Sequence, residues 1–471
     1  MRFIVKHTCP PWNIAAIAPL TIGAALLLAS PAKATPGYAR QTGLACEACH
    51  TVFPELTPFG RQFKLNGYVF ENVKQVTDIN QERSSILSLN ELPPISVMLQ
   101  ITETHVQKAL PDLALPSGVS QNDTIEFPYQ ASIFYAGRIA PNLGAFFQLT
   151  YAPNADSVGI DNTDVRFADT GSIFAHDFVY GLSLNNNPTS QDLWHGTPAW
   201  GFPFLAADAA PTGVAATLID GTLAQAAGGL TAYAMIDKAF YAEFGAYRTV
   251  PIGFQPVHMP IPNVLNSEAS GVIDGVAPYW RFAWQRDWDK NSLEIGTYGM
   301  FAGVRPGSPF SVTSGPVDYY LDTAIDAQYQ WIGEDHLFTL TGTWIHEHAT
   351  RRASFDHLLI SHTNDELDTA RLTGEYYYLR KYGASLQLFS TTGSKDPLLY
   401  GSGSQLVGSF NGSPDTQGAT LELDYVPWLN TKVALQYTAY AKFDGRSRNY
   451  DGFGRSASDN NTLFLSLWVS F

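Results

Sequence analysis

Beyond residue 94 the chain alternates apolar with polar or small side chains, in runs of about ten residues. The runs fall near 95–106, 125–139, 143–151, 163–169, 174–185, 227–235, 238–249, 276–286, 290–303, 317–332, 335–349, 367–379, 382–391, 415–426, 430–443 and 460–471. Successive side chains of a strand point to opposite faces, so each run predicts a strand with one apolar and one polar face. Sixteen such strands are expected, an even number. The connections between them alternate strictly in length. Short turns fall at Ala140-Pro141-Asn142, Thr170-Gly171-Ser172, Ile236-Asp237-Lys238, Trp288-Asp289-Lys290, Gly333-Glu334-Asp335, Lys381-Tyr382 and Pro427-Trp428-Leu429, with loops such as 186–226, 250–275 and 392–414 between them. Outer-membrane barrels have short periplasmic turns and long external loops, whereas a soluble sandwich has no reason to keep that alternation.

Parity assigns faces within this all-β, antiparallel transmembrane barrel. In the first run Val97, Leu99 and Ile101 face lipid, while Met98, Gln100, Thr102 and Thr104 face inward. His105 has the outward parity. In the last run Leu463, Leu465, Leu467, Val469 and Phe471 form an apolar face ending in Phe, which resembles the signal that outer-membrane proteins offer to the barrel assembly machinery. Trp284, Trp331, Trp344 and Trp468 are candidates for interfacial girdles.

Composition narrows the class further. Charged residues are only 15% and aromatics reach 13%, yet no stretch after the first 34 residues approaches eighteen consecutive apolar residues. A helical membrane protein is therefore excluded. Residues 1–34 read as a secretory signal: Arg2 and Lys6 give a basic start, 14–29 an apolar run, and Ala32-Lys33-Ala34 a small-x-small cleavage site. Losing Arg2, Lys6 and Lys33 takes the net charge from −15 to near −18, which argues against nucleic acid as a partner.

Between the signal and the barrel lies a short segment, 35–94, of turn-rich and weakly helical character. It contains Cys46-Glu47-Ala48-Cys49-His50, a Cys-x-x-Cys-His motif that reads as covalent attachment of one haem c. The two thiols each bond a vinyl group, and His50 gives the iron its proximal nitrogen. A zinc site would need further Cys or closely spaced His ligands, and none follow within fifty residues. Phe59 and Phe63 stand four apart, on one face of a helical turn, with Arg61, Lys64 or Arg40 near the propionates or else in ordinary packing. About sixty residues without a disulfide bury surface poorly, so something else in the protein is expected to enclose the haem. A sixteen-stranded lumen is wide enough to do so, with the segment as a plug.

The second axial position stays open. Met98 is a candidate on parity, and a water-bound position is the alternative. His346-Glu347-His348 places two imidazoles on one face, outward like Trp344, as a cation chelate or an exposed edge. Asp156, Asp161, Asp164 and Asp192 are placed in acidic loops that concentrate cations at the mouth, or that are simply solvated.

The stretches TPGYARQTG at 35–43, CEACH at 46–50 and PFGRQFKLNGY at 58–68 resemble the fused monohaem cytochrome–porins of iron-oxidising bacteria, as do DNTDVRF at 161–167, NNNPTSQD at 185–192 and TPAWGF at 197–202. The resemblance implies an outer-membrane protein that takes electrons from extracellular iron(II), an iron(II):cytochrome c oxidoreductase-like electron transfer, and passes them to a periplasmic cytochrome or other carrier. Two other functions remain open: a solute-uptake porin whose haem segment is a plug or sensor, and a conduit for a different extracellular donor or acceptor.

Overall fold

The computed structural model describes residues 37–52, 54–69, 94–111, 123–153, 157–197, 204–249, 271–306, 314–403, 406, 408–428 and 430–471. The expected signal at 1–34, Asp156, and parts of several long loops lie outside them. Sixteen antiparallel strands follow in chain order: β1 Ile95–Val106, β2 Thr124–Ala140, β3 Leu143–Ala152, β4 Ser157–Ile173, β5 His176–Asn185, β6 Ala227–Ile236, β7 Phe240–Thr249, β8 Ala277–Trp288, β9 Asn291–Arg305, β10 Asp318–Ile332, β11 His336–Thr350, β12 Asn364–Tyr378, β13 Tyr382–Gly393, β14 Thr416–Trp428, β15 Thr431–Lys442 and β16 Thr462–Ser470. A two-residue strand, Val272–Ile273, continues β8 past a bulge and pairs with the same neighbour, β9.

Each strand pairs with the next, and β1 pairs with both β2 and β16, running from Met98 opposite Ser470 to Val106 opposite Thr462. The sheet is closed and has no free edge, the condition a β-structure must meet to cross a bilayer. No described helix is long and apolar enough to cross a membrane; the strands do it.

The two faces are inverted relative to a soluble protein. Outward positions expose Phe338, Leu340, Leu372, Leu386, Leu388 and Leu463, whereas inward positions bury Thr339, Thr343, Thr373, Glu375, Gln387 and Ser466. Leaving so large an apolar surface outside is stable only against lipid, so the protein is an outer-membrane barrel. The predicted parity of β1 holds: Met98, Gln100, Thr102 and Thr104 are buried, and His105 is exposed beside Asp123. Trp344 stands outside as expected. Trp468 does not: it is 5% exposed and faces the lumen, because its parity follows Phe464 and Ser466 rather than the apolar face.

Two pieces of chain fill the lumen. One is the N-terminal segment, with helices α1 Gly37–Thr42, α2 Cys46–Cys49 and α3 Pro58–Leu65. Pro58 at the start of α3 carries its fixed φ, and Thr57 caps the helix by accepting from the Gly60 amide. The other is the β5–β6 connection, expected as an external loop. Its described parts turn inward, with Leu193 and Trp194 each 1% exposed and the Leu218 and Ile219 amides donating to Glu347 and Asp322 on the wall.

Candidate functional site

Arg61, 1% exposed, docks the plug. Its guanidinium donates to Gln285, Gln328, Gln330 and Ser292 of the wall and to the Leu56 carbonyl. Five donors in a rigid fork suit such multiple anchoring. It is therefore committed to the wall rather than held near a propionate, and Arg40 bonds the Ile95 carbonyl. Lys64 reaches the infolded loop, donating to the Ser190 carbonyl at 2.7 Å and that of Asp192 at 3.0 Å. Tyr233 donates to the Leu65 carbonyl, and Tyr68 donates to Asp164. Gln285 Oε1 accepts from both Arg61 and Trp194, so one wall residue ties plug to loop.

The docked plug leaves a cavity of about 500 Å³ between itself, the infolded loop and the wall around β16, β1, β2 and β3. That volume falls in the range of small-molecule and cofactor sites. Cys46, Cys49 and His50 all line it, together with Phe63, Lys64 and Met98. The predicted pair Phe59 and Phe63 divides: Phe63 is buried on the cavity, while Phe59 is 45% exposed. At Gly60 a Cβ would lie 2.1 Å from the Cys49 carbonyl oxygen, so only glycine lets α3 pack this closely under the motif.

The donor set fits a haem. Neither cysteine is in a disulfide. Burial raises the Cys46 thiol above its ordinary pKa and pushes that of Cys49 up to about 11, with the Cys46 charge adding to it. A reactive redox cysteine would show the opposite shift. His50 Nδ1 lies 3.2 Å from the Pro54 and Glu55 carbonyl oxygens, which only accept, so Nδ1 carries the proton and Nε2 keeps its lone pair. Such a backbone bond on the far nitrogen is what orients a metal-binding imidazole. Burial, opposed by those two carbonyls, lowers the His50 pKa to about 4, so the ring is neutral at neutral pH. Among the described residues the one group of three or more metal-competent side chains close enough to share an ion is His362, Asp365 and Asp396, at the start of β12 and in the loops on either side of the β12–β13 hairpin. There Asp396 already accepts from the Ser361 amide and hydroxyl and from the Leu398 and Leu399 amides, so it clasps two loops together.

The expected acidic mouth is not formed by the described residues named for it. Asp164 is buried against Arg166 at 3.0 Å, and Asp192 against Arg281 at 3.0 Å. Asp161 accepts from Thr150 and Gln225. Asp164 and Asp192 hold the interior together, because buried guanidinium groups need them as partners. His346 takes the exposed-edge reading: it pairs with Asp368 at 3.0 Å and stacks on Trp344, while Glu347 between the two histidines points inward.

His195 belongs to no spaced motif in the sequence. It lies on the infolded loop, is 5% exposed and lines the same cavity as His50. Burial, with the Lys64 charge, lowers its pKa to about 3. The available signal was its position between the stretches 185–192 and 197–202.

Fold and interior together define a closed transmembrane barrel with a cysteine–histidine plug. No protein-family model matches the chain, and no curated protein does. Among solved structures the chain is similar to OmpF of Salmonella typhi, at 12% identity and a TM-score of 0.47 over 84% of this chain and 100% of that one. The outer membrane channel DcaP of Acinetobacter baumannii gives 9% identity and 0.45 over 80% and 96%. The anion-selective porin from Comamonas acidovorans gives 12% and 0.42 over 80% and 98%. The barrel class rests on the chain's own closed ladder rather than on these distant likenesses.

Proposed function

We propose that the protein is an outer-membrane electron conduit that binds one covalent haem c at Cys46, Cys49 and His50, oxidises extracellular iron(II), and passes the electron to a periplasmic carrier. The observation that carries this reading is the convergence of Cys46, Cys49 and His50 on one cavity inside the barrel. When bound, the haem supplies reversible one-electron chemistry at its iron. The chain does the rest. The plug and infolded loop enclose the site, the wall separates it from lipid, and the short turns put its lower side toward the periplasm, where Arg380 of the β12–β13 turn bonds the His50 and Thr51 carbonyls. Each iron(II) gives up one electron and becomes iron(III), which stays outside the cell.

The test mixes oxidised holoprotein with iron(II) without oxygen and follows the haem absorbance. Reduction is expected; its absence would remove iron(II) as donor. Planar-bilayer conductance separates the conduit from a solute-uptake porin, since a filled lumen passes little current and an open pore passes much.

A further inference from the structure

The Cys-x-x-Cys-His motif supplies one axial ligand, and parity in β1 offered Met98 as the other. Met98 does line the cavity, but its thioether accepts from Gln100 Nε2 at 3.8 Å and belongs to the wall. Lys64 also lines it, with an amine engaged by two loop carbonyls. His195 is differently placed. It enters from the infolded loop and lines the same cavity as Cys46, Cys49 and His50.

The backbone around His195 points to a purpose. Its φ is 53°, in the left-handed region that few non-glycine residues adopt and that persists only where the surroundings over-determine it. They do so here from both sides. Asp192 accepts from the Trp194 and Gly196 amides, Gln328 donates to the Trp194 carbonyl, and Thr343 donates to that of Gly196. Trp194 is further fixed through its indole to Gln285, the residue that also holds Arg61. Three strands, the plug and the loop thus cooperate to hold one imidazole in a strained turn at the cavity.

We propose that His195 is the second axial ligand of the haem held by Cys46, Cys49 and His50, so that the infolded loop is a ligand-bearing cover. The inference rests on the haem reading above. Two imidazoles give a low-spin, six-coordinate iron, and they favour a lower reduction potential than an imidazole–thioether pair, since methionine ligation raises it. The loop that faces the outside would then fix both the electronic state of the iron and the upper wall of its pocket.

Near-infrared magnetic circular dichroism of the wild-type holoprotein tests this without any variant, because the charge-transfer band of a bis-imidazole iron is distinct from that of a methionine-bound one. The bis-imidazole band is expected; a methionine band, or a high-spin spectrum, overturns the proposal. In His195→Ala the oxidised haem should become high-spin or water-bound, and added imidazole should restore the low-spin spectrum. Met98→Leu should leave the spectrum unchanged. A His195→Ala spectrum identical to wild type, or loss of the low-spin spectrum in Met98→Leu, overturns it. Heat-modifiable electrophoretic mobility confirms that each barrel has folded. Haem stain and intact mass separate the two levels: a wild-type chain without covalent haem overturns the haem reading itself, whereas covalent haem with the wrong axial spectrum overturns only His195.

Discussion

On the lipid side of β14, Leu421, Leu423 and Tyr425 stand exposed, while on the lumen side of the same strand Thr420, Glu422 and Asp424 are buried. The outer surface is uniform, and any apolar residue of suitable size serves it. The inner surface is particular: Glu422 accepts from Lys432, Thr339 donates to Glu55 of the plug, and Arg281 meets Asp192, Glu294 and Asp326 while stacking on Trp194. The wall stands by its ladder and the bilayer. Its contents stand by buried polar contacts, where each group is costly to leave unpaired. Outside substitutions should therefore be judged by hydropathy, and inside ones by the partner they orphan.

Four experiments press on that contrast. Cys46→Ser with Cys49→Ser should abolish covalent haem completely, read by haem stain, while leaving the heat-modifiable mobility of a folded barrel; loss of the barrel would mean that plug and wall are not separable. Arg281→Ala should cost about 3–5 kcal/mol, because three buried carboxylates lose their shared cation. Its urea midpoint in detergent checks this, and a shift no larger than that of a surface arginine would show that the network is dispensable. Leu421→Arg, near the middle of β14, should cost about 2–4 kcal/mol in lipid, with folding into vesicles as the measurement.

The smallest effect concerns the outer loops. Burial raises the carboxyl pKa of Asp444 to about 6 although the Val214 amide and the Thr416 hydroxyl donate to it. The folded state thus holds this proton more tightly than the unfolded one. Its contribution is full below the ordinary carboxylate pKa and is lost as pH rises through about 6. Exchange at the Val214 amide, corrected for intrinsic rate, should be roughly ten-fold slower at pH 5 than at pH 7, about 1.4 kcal/mol. Asp444→Asn should remove the difference.

Much of this architecture was legible in advance. The expected 95–106 and the observed β1 coincide, and sixteen strands appear where sixteen alternating runs stood. The spacing of Cys46, Cys49 and His50 marked them as a candidate group, and the three line one cavity. The exceptions share a feature. Asp164 and Asp192 looked like loop charge and Trp468 like a girdle residue, yet all three face the interior.

The sequence alone determined the alternation that makes a barrel and the motif in its plug, because strand parity and Cys-x-x-Cys-His spacing are local. Only the tertiary structure decided that residues 186–197 turn inward, that Gln285 links plug to loop, and that His195 and His50 line one cavity. Those outcomes depend on partners more than ninety residues apart in the chain, such as Trp194 and Gln285. No short-range periodicity records such a pairing; it exists once the barrel has closed and its lumen has set which polar groups must find each other.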